Sequence, residues 1–132
     1  MELKSQNAAY GATTLRAILG FLFIVTGLNK LSNPGIIISM LGDLGFRAPA
    51  FLGWILLLSE IVFGISVLIG YKIRYTVWPL VFILAVATLR VYLPQIFTSP
   101  MGVVNVSFHL LGIGALVSLF LTGAGKIAID KE

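Results

Sequence analysis

Residues 51–70 read FLGWILLLSEIVFGISVLIG, an apolar run that contains a single charged side chain, Glu60. A helix of about twenty residues crosses roughly 30 Å of hydrocarbon, so this run has the length of a transmembrane span. A carboxylate near the middle of a bilayer is costly unless it is paired, protonated or hydrated. Glu60 therefore indicates a polar partner on another helix.

The composition of the whole chain indicates an integral membrane protein. Of its 132 residues, 58% are hydrophobic and 11% are charged, and the mean hydropathy is +1.04. Soluble domains carry about 25% charged residues, and a soluble protein of this size could not bury so much apolar surface. We expect one membrane domain over residues 1–132, multi-pass in the cell membrane, with the lipid bilayer as its surroundings.

The residue types exclude several kinds of site. The chain has no cysteine and one histidine, so it cannot form a disulfide, an iron–sulfur cluster or a thiolate metal site by itself. No spacing is typical of metal ligands, of a nucleophile–base pair or of a phosphate-binding loop. The net charge of +4 comes without a basic patch interleaved with aromatic residues, which argues against nucleic-acid binding. We expect no metal and no covalently bound cofactor, and the pattern assigns no catalytic residue.

Four apolar spans emerge, at about residues 13–30, 49–70, 75–97 and 104–122. They predict an all-α fold, a four-helix bundle in the membrane. The first span has no small-residue cleavage site after it, which favours a retained anchor over a cleaved signal peptide. Between the first two spans, Asn33 and Pro34 predict the N-cap and first residue of a short interfacial helix.

The basic residues predict an orientation. The positive-inside rule places the side that carries more lysine and arginine in the cytoplasm. Lys30 and Arg47 fall on one side of a four-span path. Both termini fall on the other side and are predicted to be cytoplasmic, together with Lys4, Arg16, Lys72, Arg74, Lys126 and Lys131.

Each span places one ionisable side chain in the half of the membrane away from the termini. By helical phase these residues share faces with small side chains, which is typical of a bundle interior. The predicted inward faces are Arg16, Gly20, Phe23, Gly27 and Lys30 on the first span, Gly53, Leu57, Glu60 and Gly64 on the second, Ala87, Arg90 and Pro94 on the third, and Asn105, His109 and Gly112 on the fourth.

We expect Glu60 to pair with Arg90, with His109 and Lys30 nearby. The four side chains either form a polar pocket for a quinone or a small anion, or only fix the helix register. Taken alone, Lys30 is interpreted as a lysine snorkelling to the interface, as is Arg16 on the cytoplasmic side. His109 is either a hydrogen-bonded structural residue or a group that exchanges protons near neutral pH.

Four segments resemble the motifs of one family, the DoxX family, in the same order along the chain: GLNKL–SNP (27–34), LGFRAP (44–49), SEIVFGISVLIGYKIR (59–74) and LTGAGKIAID (121–130). The resemblance implies a four-span bundle. It marks Lys30 and Glu60 but places neither Arg90 nor His109 on a family motif. The other positions that it marks are Gly64, Gly70, Arg74, Gly123, Gly125, Lys126 and Asp130.

The resemblance implies a membrane subunit of a quinone-linked redox system, similar to thiosulfate:quinone oxidoreductase or associated with a terminal oxidase. Such a chain would be an oxidoreductase subunit, with quinone as its redox partner and a place in a homo-oligomer or a larger membrane complex. The first alternative is a non-catalytic structural or assembly subunit. The second is a small proton or solute transporter, which the absence of visible inverted repeats disfavours.

Overall fold

The computed structural model describes residues 2–130, and its regular structure in that range is entirely helical. The helices are α1 (Glu2–Ser32), α2 (Pro34–Asp43), α3 (Pro49–Ile69), α4 (Ile73–Ala87) and α5 (Pro100–Thr122). A π-helical turn (Thr88–Tyr92) and a 3-10 turn (Leu93–Gln95) continue α4. In this part of the chain, four helices, with α4 counted together with its continuation, are long and apolar enough to cross a bilayer. The predicted all-α membrane fold is confirmed.

The helix bounds follow the predicted spans closely in three cases. The second, third and fourth spans correspond to Pro49–Ile69, Ile73–Gln95 and Pro100–Thr122. The first helix differs, because it begins at Glu2 rather than near residue 13. Hydropathy marks only the part of a helix that suits hydrocarbon, so the polar N-terminal turns of α1 were not detected.

The short helix between the first two spans is also confirmed. Asn33 is the N-cap residue of α2 and Pro34 its first residue, although the Asn33 side chain makes no capping hydrogen bond. The apolar side of α2 packs on α3, where Ile37 and Leu41 bury against Leu57. This contact holds α2 beside the first turns of α3.

Helices α1 and α3 form the most extensive helix–helix contact and run antiparallel. Glycine permits their close approach. A Cβ on Gly20 would lie 2.7 Å from the Cα of Leu68, and one on Gly64 would lie 3.0 Å from the Cβ of Phe23. The predicted inward faces of these two spans are confirmed, since both carry the buried glycines and Glu60 is buried with them.

Helices α4 and α5 pack antiparallel beside this pair. The fully buried side chains Leu80, Leu116 and Leu119 join the two helices to the main core. The rings of Trp78 and Phe120 meet edge to face, with centroids 5.1 Å apart. Because consecutive long helices alternate in direction, α1 and α4 end where α3 and α5 begin. We call this the Lys30 end of the bundle.

A non-helical segment, the C-terminal strap (residues 123–130), lies at the opposite end. The backbone N–H groups of Ile129 and Asp130 donate to the carbonyls of Ile69 and Gly70, over 3.1 and 3.3 Å. These bonds satisfy carbonyls that the end of α3 would otherwise leave without partners. The strap therefore caps α3.

The strap also binds α1. The Lys126 N–H donates to the Thr13 hydroxyl oxygen over 3.0 Å, and the guanidinium of Arg16 donates to the carbonyl of Ile127. Arg16 is 4% exposed. The interpretation of Arg16 as a snorkelling residue is therefore wrong, because the strap covers its side chain and supplies its hydrogen-bond acceptor.

Candidate functional site

The buried carboxylate of Glu60 is paired with a lysine from the end of α1. The Nζ atom of Lys30 donates to Oε1 and Oε2 of Glu60, over 2.8 and 2.6 Å. The side chains are 30% and 5% exposed, respectively. Lys30 is thus an ion-pair partner rather than a snorkelling lysine, and the expectation for this residue taken alone is wrong.

Arg90 was expected to pair with Glu60, but it does not. Its guanidinium donates to the carbonyl of Leu44 over 3.2 Å, in the loop between α2 and α3. Its Cζ atom lies 5.4 Å from the centroid of the Phe46 ring, within the range of a cation–π contact. Arg90 therefore links the end of the third span to this loop.

The physical reason is the π-helical turn at Thr88–Tyr92. A π-turn contains an extra residue compared with an α-helical turn, so the side chains after it are rotated from the regular 3.6-residue phase. The predicted inward face of Ala87, Arg90 and Pro94 therefore fails after Ala87, since Arg90 and Pro94 are both exposed. Thr88 is buried instead, and Arg90 is exposed at the side of α2.

His109 of α5 lies half-buried near the π-turn. Its Nδ1 atom is 2.7 Å from the carbonyl oxygen of Asn105. Because a carbonyl only accepts hydrogen bonds, Nδ1 carries a proton, and Nε2 is an acceptor in the neutral form of the ring. The Tyr92 ring lies against the imidazole, with centroids 4.5 Å apart.

A cavity of about 320 Å³ brings these groups together between α2, α3 and α4. Three of the four predicted site residues line it: Lys30, Arg90 and His109. The fourth, Glu60, does not line it and is connected to it through Lys30. The rest of the wall is mainly apolar. It consists of Ile37, Met40, Leu41, Leu44, Phe46, Leu52, Ile55, Leu56, Ser59, Pro79, Phe82, Ile83, Val86, Ala87, Val91 and Tyr92.

The sequence interpretation missed two aromatic residues of the site. The ring of Tyr92 contacts that of His109 at a tilted angle, and the ring of Phe46 makes the cation–π contact with Arg90. Tyr92 follows Arg90 by two residues, which in an α-helix would put the two side chains on different faces. Phe46 lies in LGFRAP, a segment that carries part of the family resemblance. The available signal was an aromatic residue three positions before Pro49, which begins α3.

The arrangement can bind a polar head group within an apolar cavity. Arg90 offers donors beyond the one that Leu44 accepts, and His109 offers an acceptor. Between residues 2 and 130, no group of histidine and carboxylate side chains could hold a metal ion. The chemistry available from the cavity wall is therefore hydrogen bonding and proton exchange.

Comparison with known proteins places the chain in a family. The DoxX family model matches residues 11–93. The curated protein named "Putative oxidoreductase CatD" of Bacillus subtilis (strain 168) is 30% identical over 122 residues, which cover 91% of this chain and 84% of that protein. No solved structure matches the chain. With more than half of its length matched by the family model, this four-span membrane protein belongs to the DoxX family.

Proposed function

We propose that this chain is a membrane subunit of a quinone-linked redox system in the cell membrane, with both termini in the cytoplasm. One observation carries the proposal: Arg90, His109 and the ion-paired Lys30 converge on a single apolar cavity within the bundle. Ionisable side chains inside a membrane protein mark functional sites by default. The oxidoreductase name of the Bacillus relative supports the same reaction class.

The cavity suits a quinone ring in size and lining. Small-molecule sites have volumes of about 300–1,000 Å³ and mostly apolar walls with a few placed polar groups. The volume of about 320 Å³ and the lining of this cavity agree with that description. The aromatic rings of Phe46 and Tyr92 offer flat contact surfaces for a ring.

The residues of the chain have distinct roles in this proposal. Arg90 donates a hydrogen bond to a ring oxygen, and its delocalised charge favours the more electron-rich state of that oxygen. His109, with its proton on Nδ1, accepts the proton of a ring hydroxyl at Nε2. The bond to Glu60 holds the Lys30 ammonium group at the wall of the cavity.

A bound quinone supplies exchange of two electrons together with two protons. The chain has no cysteine and a single histidine, so it cannot by itself ligate an iron–sulfur cluster or a haem through two imidazoles. We assign the other half of the electron exchange to a partner subunit that carries a redox centre. The complex as a whole would then be the enzyme.

The test is to purify the full chain in mild detergent and to quantify quinone per protein in an organic extract. We expect bound quinone in the native protein and at least about a tenfold weaker affinity in Arg90→Met, because a charged hydrogen bond is lost. Arg47→Met is the matched control, since Arg47 is an exposed arginine that does not line the cavity. If both variants bound quinone equally well, Arg90 would not be part of the binding site.

A second candidate is a non-catalytic assembly subunit. The observation that favours it is the position of the Lys30–Glu60 pair across the contact between α1 and α3, where an ion pair can fix register. In that case no quinone would be recovered with the protein. Arg90→Met would then leave the activity of the parent complex unchanged.

A further inference from the structure

The cavity has a polar end and an apolar end. Three of its polar groups, Arg90, Tyr92 and His109, lie towards the Lys30 end of the bundle. Its wall continues along α4 to Pro79, which is about 16 Å from Arg90 at 1.5 Å per residue. Lys30 lines the wall beside the middle of α3, where it is paired with Glu60, and no other charged side chain lines this deeper part. The cavity thus matches an elongated amphiphilic molecule, with a polar head at one end and an apolar tail along the rest.

The apolar part opens sideways between α3 and α4. Ile55 of α3 and Phe82 of α4 line the cavity and are also 47% and 69% exposed on the outer surface. Both residues lie well inside transmembrane helices, so this surface faces acyl chains rather than water. A ligand in the bilayer reaches the cavity there without crossing a polar surface.

Towards the Lys30 end, much of the cavity wall is apolar. Ile37 and Leu41 of α2 and Phe46 of the following loop form its wall there. Arg90 holds this loop through the carbonyl of Leu44. An apolar wall of this kind favours a lipid-soluble molecule over a small, strongly hydrated anion.

The polar end combines donors with an acceptor. Arg90 can only donate, and the neutral imidazole of His109 accepts at Nε2. A simple anion satisfies Arg90 but brings no proton for His109. A phenolic hydroxyl satisfies both groups, because its oxygen accepts from Arg90 and its hydrogen is donated to His109.

From these observations we propose that the cavity takes a hydroquinone with an apolar tail directly from the bilayer. The molecule enters between α3 and α4, its ring hydroxyl lies between Arg90 and His109, and its tail passes Ile55 and Phe82 into the lipid. The proposal rests on the redox function proposed above. It adds the form of the ligand that is bound, its access route and its orientation.

The test uses the full native chain in phospholipid nanodiscs and a benzohydroquinone with a decyl tail that ends in a diazirine. After irradiation, mass spectrometry locates the cross-links. We expect them on residues 79–86 and 52–59, the α4 and α3 walls of the opening. Cross-links confined to α1 or α5 would overturn the orientation and the access route.

A second measurement uses variants that close or spare the opening. Val86→Trp places a large ring on the cavity wall one helical turn from Phe82, and Val104→Trp adds the same ring to α5 outside the cavity. We expect Val86→Trp to weaken binding of the tailed probe at least about tenfold, and Val104→Trp to leave it unchanged. Circular dichroism and size-exclusion chromatography verify that both variants are folded.

The outcomes separate this inference from the proposed function. If a tail-free benzohydroquinone binds as tightly as the tailed one and Val86→Trp affects neither, lateral access is wrong while a quinone site remains. If thiosulfate displaces the tailed probe at equal concentration, the preference for a hydroquinone is wrong. If neither hydroquinone binds the native protein, the proposed function fails together with the inference.

Discussion

Lys30, near the end of α1, donates hydrogen bonds to both carboxylate oxygens of Glu60, over 2.8 and 2.6 Å, and so ties α1 to the middle of α3. The pair is asymmetric, because the lysine side chain is 30% exposed and the carboxylate 5%. Removing Lys30 therefore leaves a more deeply buried charge in the protein than removing Glu60 does.

Replacing Lys30 with methionine should destabilise the protein more than replacing Glu60 with glutamine. Lys30→Met leaves the more buried partner, a carboxylate, without its cation, at a cost of about 3 kcal/mol, whereas Glu60→Gln leaves the less buried lysine beside an amide oxygen that still accepts its hydrogen bond, at about 1 kcal/mol. SDS titration of the folded protein in mixed micelles measures both. The double variant should recover part of the loss. Strictly additive losses would show that the two residues do not interact.

Replacing Gly20 with alanine should also destabilise the bundle. The new Cβ would lie 2.6 Å from the backbone nitrogen of Leu68, so α1 and α3 must separate, at about 1–3 kcal/mol. The same SDS titration applies. Gly114→Ala is the control, because no atom lies within 4 Å of the position that its new Cβ would take, and alanine favours helix. A stabilised Gly20→Ala variant would contradict the close approach.

Replacing Arg16 with methionine should loosen the C-terminal strap. The variant removes the donor to the Ile127 carbonyl, and Lys126 within the strap is an exposed trypsin site. We expect faster cleavage after Lys126, followed by mass spectrometry over time, and a loss of about 1–3 kcal/mol in the free energy of unfolding. Arg74→Met, at an exposed arginine, should cleave at the native rate. Equal rates in the two variants would exclude the strap role of Arg16.

The predicted orientation can be tested with single cysteines, since the chain has none of its own. Ser5 and Thr98 are exposed at opposite ends of the bundle. With cytoplasmic termini, a membrane-impermeant maleimide should label Thr98→Cys in intact cells, and Ser5→Cys only after permeabilisation. The reverse pattern would establish the inverted orientation and place the polar end of the cavity on the cytoplasmic side.

Most of the fold could be predicted from the sequence because membrane helices have a simple hydropathy signal. Helical phase also identified the face that carries Gly64 and Glu60, since regular α-helices keep a period of 3.6 residues. The same reasoning failed at Arg90, where a π-turn breaks that period. The amino-acid composition of residues 88–92 does not distinguish a π-helical turn from a regular α-helix.

The site was predictable only in part. Lys30, Arg90 and His109 were identified as members of one polar group, and they do line one cavity. Which of them neutralises Glu60 depends on side-chain reach and helix contacts, which depth along a span does not determine. The interaction of Arg16 with the strap could not be predicted either. Its acceptor is a backbone carbonyl, which any residue could supply.

The link between Arg16 and Ile127 joins residues 111 positions apart in the chain. During synthesis from the N-terminus, the first helix is made long before its hydrogen-bond acceptor leaves the ribosome. Until then Arg16 must remain hydrated or bind a temporary partner such as a lipid phosphate. The ordering of Arg16 is therefore a late step in the folding of this bundle, and the strap completes it.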